Sequence, residues 1–98
     1  MLVAVTRFDI RIPGCGSLKE KRHVVKTLTA GLRQKFNVSV AETGHLDLWQ
    51  RAELGVSAVA GEQYHVRRVM HEVEKYVERF GPVEMIDSEL TLHDPEDL

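Results

Sequence analysis

An α+β domain with the element order β-α-β-β-α-β follows from three features of the chain. Apolar and polar residues alternate with a period of two in four segments, apolar residues recur at helical spacing in two others, and Gly or Pro punctuates most of the joints. At 98 residues the chain suits one domain spanning residues 1–98, long enough to bury roughly two-thirds of its unfolded surface without a disulfide or metal staple.

Leu2, Ala4, Thr6, Phe8, Ile10 and Ile12 alternate with Val3, Val5, Arg7, Asp9 and Arg11, as in a strand with one buried and one wetter face. Pro13 to Gly16 break that period. Ser17-Leu18-Lys19-Glu20 is then a capping box, with the serine hydroxyl and the glutamate carboxylate placed to meet free amides of a new helix. From Leu18 the apolar residues Val25, Leu28, Leu32 and Phe36 make one stripe, interrupted on the core side of the first turn by Lys21. The spacing leaves Lys21 two fates: its stem snorkels past the end of the sheet, or its ammonium converges with the loop before the helix.

Phe36 to Glu42 and Ala52 to Ala60 alternate again and predict a hairpin around an irregular stretch, Thr43 to Arg51. Val66, Val69, Met70, Val73, Val77 and Phe80 mark a second helix ending at Gly81-Pro82. Ile86, Leu90 and Leu92 alternate with Asp87, Glu89 and Thr91 in a last strand, and the acidic tail from His93 to Leu98 is expected to fray. Strand-helix-strand twice, joined by a hairpin, is the ferredoxin-like arrangement, a four-stranded antiparallel sheet with two helices on one face. The uncovered face then carries Arg7, Asp9 and Arg11 in its middle, with Val3, Val5 and Val59 beside them, an expected surface for a partner or a homodimer.

Composition bounds the function. The single cysteine, Cys15, makes no internal bridge and points to a reducing, cytoplasmic setting. The apolar run Met1 to Val5, which meets Thr6 and Arg7 at once, is too short for a signal peptide, no apolar run is long enough for a membrane span, and no membrane partner is expected. The net charge of −2 hides a division after Arg51: nine Lys/Arg against four Asp/Glu before it, four against eleven after it. Such a dipolar chain offers an anionic partner a positive side.

The cations of the first helix are the most informative group. Lys19, Arg22, Lys26 and Arg33 fall at i, i+3, i+7 and i+14 and form one ridge along which phosphates could line up, although a solvated helix face carries such charges too. Trp49, in His45-Leu46-Asp47-Leu48-Trp49-Gln50-Arg51, either caps the core or, beside a guanidinium, stacks on an unpaired base. In the first case Asp47 and Arg51 form a local ion pair. Lys19, Lys21, Arg22, Lys26, Arg33, Trp49, Gln50 and Arg51 are therefore the candidate nucleic-acid contacts. The loop Gly14 to Ser17 at a helix start is a weaker candidate for an anion, since neither glycine-rich phosphate motif is present. The histidines, His23, His45, His65, His71 and His93, lack metal-ligand spacing, and Cys15, Ser17 and His23 lack a third group to orient a base. No catalytic residue, metal or cofactor is expected.

Three runs carry a resemblance: Pro13-Gly14 through Ser17-Leu18-Lys19-Glu20-Lys21-Arg22; Phe36-Asn37-Val38-Ser39-Val40-Ala41-Glu42; and Asp47-x-Trp49-Gln50-Arg51-Ala52-x-Leu54-Gly55. Together, over roughly Leu2 to Leu92, the chain resembles the YlxP-like family of small bacterial proteins of unknown function. The resemblance implies a ferredoxin-like fold and a bacterial cytosolic protein, often encoded near translation-initiation and ribosome-maturation factors. It implies no activity and no set of functional residues.

Other ferredoxin-like families fit less well. An RNA-recognition motif needs aromatics where the open face holds Arg7, Asp9, Gly55 and Ser57. A copper chaperone needs a second cysteine beside Cys15, and an acylphosphatase needs an arginine in the Pro13 to Gly16 loop. The expectation is a non-catalytic accessory factor that touches RNA or the ribosome through the helix ridge. A self-associating module using the open sheet face is the alternative.

Overall fold

The computed structural model describes residues 1–97 and contains the elements β1 (Leu2–Arg11), α1 (Leu18–Lys35), β2 (Ser39–Gly44), β3 (Arg51–Ala60), α2 (Gln63–Arg79) and β4 (Glu84–His93), followed by a 3-10 turn, Pro95–Asp97. The strands form one antiparallel sheet in the order β2-β3-β1-β4, so β1 and β3 are central and β2 and β4 are edges. Both helices pack on one face over a common core of Phe8, Ile10, Leu28, Leu32, Leu54, Val56, Val66, Met70, Val73 and Val77. This is the ferredoxin-like α+β architecture that the element order predicts.

The period of two in β1 survives intact. Ala4, Thr6, Phe8 and Ile10 are buried beneath the helices, while Val3, Val5, Arg7, Asp9 and Arg11 face the open side. The N-terminus of α1 is capped as a serine at that position dictates: the Glu20 amide donates to Ser17 Oγ at 3.1 Å. The reciprocal half of the box lands one residue early, with the Gly16 amide donating to Glu20 Oε2 at 2.9 Å.

The strands depart from expectation at both ends of β2 and in the register of β4. β2 begins at Ser39, because Phe36 still donates its amide to Leu32 to close α1 and Val38 donates to Phe36 in a tight turn. It then runs on to Gly44, past the expected end, with a register shift between Glu42 and Gly44. In β4 the register shifts opposite Asp9/Ile10, so Met85 pairs with Ile10 and packs against the core. The extra residue is Ile86, expected inside and found exposed. In the tail His93 pairs with Val3, and the Glu96 amide donates to Asp94 Oδ1 at 2.9 Å; Leu98 lies outside the described residues.

Candidate functional site

The cations of the sheet face and those of the α1 ridge differ in their partners. On the open sheet face each arginine is neutralised. Arg7 lies 3.2 Å from Asp87, 3.7 Å from Glu53 and 4.0 Å from Glu89, and Arg11 lies 2.9 Å from Glu84. Arg51 grips Asp9 with two nitrogens, at 2.7 and 3.3 Å. On α1, Lys19, Arg22 and Lys26 are exposed, and among the described residues none has a carboxylate within 4.0 Å. The only acid of α1, Glu20, accepts from the Gly16 amide at the cap. The ridge expected from the i, i+3, i+7 spacing is thus a run of free positive charge.

Four expected contacts are placed otherwise. Lys21 is 2% exposed; its Nζ donates to the His45 carbonyl at 2.5 Å and lies 2.9 Å from Glu42 Oε2. The latter contact is made by charge rather than by an aligned hydrogen bond, for that oxygen is buried with no hydrogen bond directed at it. Lys21 therefore neither snorkels nor faces a ligand, because an ammonium sealed under the loop needs its counter-charge inside the protein. Arg51 pairs with Asp9 across the sheet instead of with Asp47, since the register sets residue 51 at the end of β3 beside β1. Gln50 turns its side-chain amide to the Cys15 carbonyl at 3.3 Å, and Arg33 folds over the edge strand to donate to the Val40 carbonyl at 2.6 Å.

Trp49 is 51% exposed, so the core-capping reading is overturned. It lines a shallow hollow with Asp47, Leu48, Gln50 and Arg51 on the loop between β2 and β3. The loop between β1 and α1 is not an open anion cradle. Its Gly16 amide is met by Glu20, Ser17 Oγ accepts from Glu20, and the Cys15 amide donates to Ile12. Cys15 is buried and its thiol donates to the Ser17 carbonyl.

One arrangement was not read from the sequence. Tyr76 of α2 lies over Gly31 of α1 and meets Phe36 edge-on at 6.1 Å, while the Lys35 ammonium sits 5.7 Å from its ring centre. Gly31, an otherwise unfavourable helix residue, was the available signal. Lys35, Lys75 and Arg79 surround the adjoining hollow with Glu72 and Phe80, adding positive charge between the helices. No helix of the described residues is long and apolar enough to cross a membrane, and among them no group of three or more His, Cys, Asp or Glu is placed to hold a metal ion.

Fold and site together define a ferredoxin-like α+β domain with an unpaired basic ridge on α1 and an exposed apolar loop between β2 and β3. Residues 3–90 match the family described as "Protein of unknown function (DUF503)", and the chain belongs to that family. It is 38% identical over 83 residues, covering 85% of this chain and 90% of the relative, to "Uncharacterized protein YlxP" of Bacillus subtilis (strain 168). Among solved structures it is similar to the de novo designed protein LFR1 1 with ferredoxin fold, at a TM-score of 0.55 and 14% identity, covering 95% of this chain and 84% of that one. It is also similar to a C-terminal segment of the alpha subunit of aIF2 from Pyrococcus abyssi, at a TM-score of 0.52 and 14% identity, covering 95% of this chain and 51% of that one. At such identities these structures support the fold alone.

Proposed function

We propose that the protein is a non-catalytic accessory factor that binds structured RNA, in free form or in the ribosome, through the solvent face of α1. The observation that carries this reading is the sorting of charge. The sheet-face arginines are matched by acids, whereas Lys19, Arg22 and Lys26 stand exposed on one ridge without an acid within 4.0 Å among the described residues. Unpaired cations along a helix meet phosphate oxygens without reading sequence, so affinity rests on counterion release and falls steeply with salt. Arg33 extends the ridge only if it leaves the Val40 carbonyl. Lys21, buried, and Gln50 and Arg51, tied to Cys15 and Asp9, act as supports rather than contacts.

Co-sedimentation with ribosomal subunits at low and high salt tests this reading. Binding of the wild type at low salt, its loss at high salt and its loss on combined Lys19→Glu, Arg22→Glu and Lys26→Glu in a folded protein are the expected results. Binding unchanged by the triple reversal refutes it. Val59, 62% exposed and directly opposite Val3 in the sheet, favours homodimerisation through the open face as a second reading. A salt-insensitive dimer in sedimentation, broken by Val5→Asp, would support it; a monomer at all concentrations removes it.

A further inference from the structure

The loop between β2 and β3 is built unlike a simple connection. Three of the four residues from Leu46 to Trp49 are large apolar side chains turned to water: Leu46 is 60%, Leu48 48% and Trp49 51% exposed. Connections between strands are ordinarily polar, since apolar groups left in water forgo roughly 1.5–3 kcal/mol each of burial. This one is also fastened at several points. His45 takes the left-handed backbone conformation, φ 57°, that side chains other than glycine's disfavour. Its carbonyl accepts from both the buried Lys21 ammonium and the Leu48 amide. At the other end the Ile12 amide donates to the Gln50 carbonyl, the Gln50 side chain donates to Cys15, and Arg51 holds Asp9. The runs SLKEKR and WQRAxLG thus meet here, with Lys21, Gln50 and Arg51 as fasteners and Trp49 as what they present.

We propose that Leu46, Asp47, Leu48 and Trp49 form a preorganised knob that inserts into an apolar pocket with a basic rim on a protein partner. A loop already fixed in its bound shape loses little conformational freedom on docking, so more of the contact energy appears as affinity. The chemistry selects the partner. Two leucines flanking a tryptophan match the apolar centre of protein interfaces, where tryptophan dominates binding, whereas leucine offers no ring on which a base could stack. Asp47 is exposed at the tip and has no ion pair among the described residues. A carboxylate there repels phosphate backbones and anionic lipid headgroups, and calls for a lysine or arginine at the edge of the receiving pocket. The inference goes beyond the RNA reading and stands without it.

The test places a benzophenone amino acid at position 46 of the full chain, expressed in cells and irradiated. The expected result is a discrete protein adduct that survives ribonuclease. It falls by at least about tenfold with Trp49→Ala or Leu48→Ala, falls likewise with Asp47→Lys, and persists with Asp47→Glu. These side chains are exposed rather than packed in the core, so the variants keep the fold, which circular dichroism checks. An adduct destroyed by ribonuclease, an adduct of lipid, an adduct of two copies of this chain, an adduct indifferent to Trp49→Ala or to Asp47→Lys, or no adduct at all overturns the proposal.

Discussion

At the scale of single residues, the Lys21 ammonium is held under the β2–β3 loop between the His45 carbonyl and the Glu42 carboxylate. Helical spacing placed it correctly on the core side of α1, but spacing cannot name a partner 24 positions away, and the His45 carbonyl that receives its ammonium is such a partner. Removing one member of a buried ion pair strands the other, at a cost of about 3 kcal/mol, whereas replacing both by apolar residues is often close to neutral. Lys21→Met should therefore lower stability in urea denaturation by about that amount, and Lys21→Met with Glu42→Leu should recover at least half of it. A single variant within about 0.5 kcal/mol of wild type would show that the pair contributes nothing. Gly31 makes a second case. A Cβ there would sit 2.0 Å from the Tyr76 hydroxyl and 3.0 Å from its ring. Gly31→Ala should destabilise by about 1–2 kcal/mol, although alanine is about 1 kcal/mol the better helix former. With Tyr76→Ala present the sign should reverse, and thermal melts of the two pairs read the difference.

At the scale of elements, what the sequence made legible was whatever a fixed period encodes. Two helices and four strands were recovered because each buries one face against a common core. The boundaries that slipped are places where hydrogen-bond geometry overrides the period. Phe36 and Val38 look like strand residues but close the helix and the turn after it, and a bulge in β4 exchanges the expected inward residue, Ile86, for Met85. The exchange has a measurable consequence. Ile86→Ser should change stability by less than about 0.5 kcal/mol, as surface substitutions do, while Met85→Ser, deleting a side chain packed on the core, should cost about 2 kcal/mol or more in chemical denaturation. Equal losses at the two sites would put the bulge elsewhere. The start of α1 belongs to the same scale: Ser17→Ala removes the acceptor for the Glu20 amide and should cost about 1 kcal/mol.

At the scale of the whole molecule, the charge division of the sequence survives folding in altered form. Counting residues before and after Arg51 suggested a positive half and a negative half. Folding instead pairs the arginines of β1 and β3 with acids on β1, β3 and β4, and leaves Lys19, Arg22 and Lys26 unpaired on the outer face of α1, where the only acid, Glu20, is taken up by the cap. The expected cationic site was therefore legible as a ridge on one helix but not as a patch that included the β2–β3 loop. Counting cannot tell an arginine with an acid across the sheet from one without. The surviving ridge predicts a number. If Lys19, Arg22 and Lys26 each neutralise one phosphate, they contribute between about −2 and −3 to the slope of log K against log salt, the smaller magnitude for single strands and the larger for a duplex. Replacing all three by alanine should flatten the slope by that amount and weaken different RNA sequences about equally, because phosphate contacts carry no sequence information. Filter binding across a salt series decides it. A slope that stays steep in the triple variant would move the phosphate contacts off the Lys19–Lys26 ridge, toward Lys35 at the end of α1 and Arg79 of α2, which line the hollow between the helices.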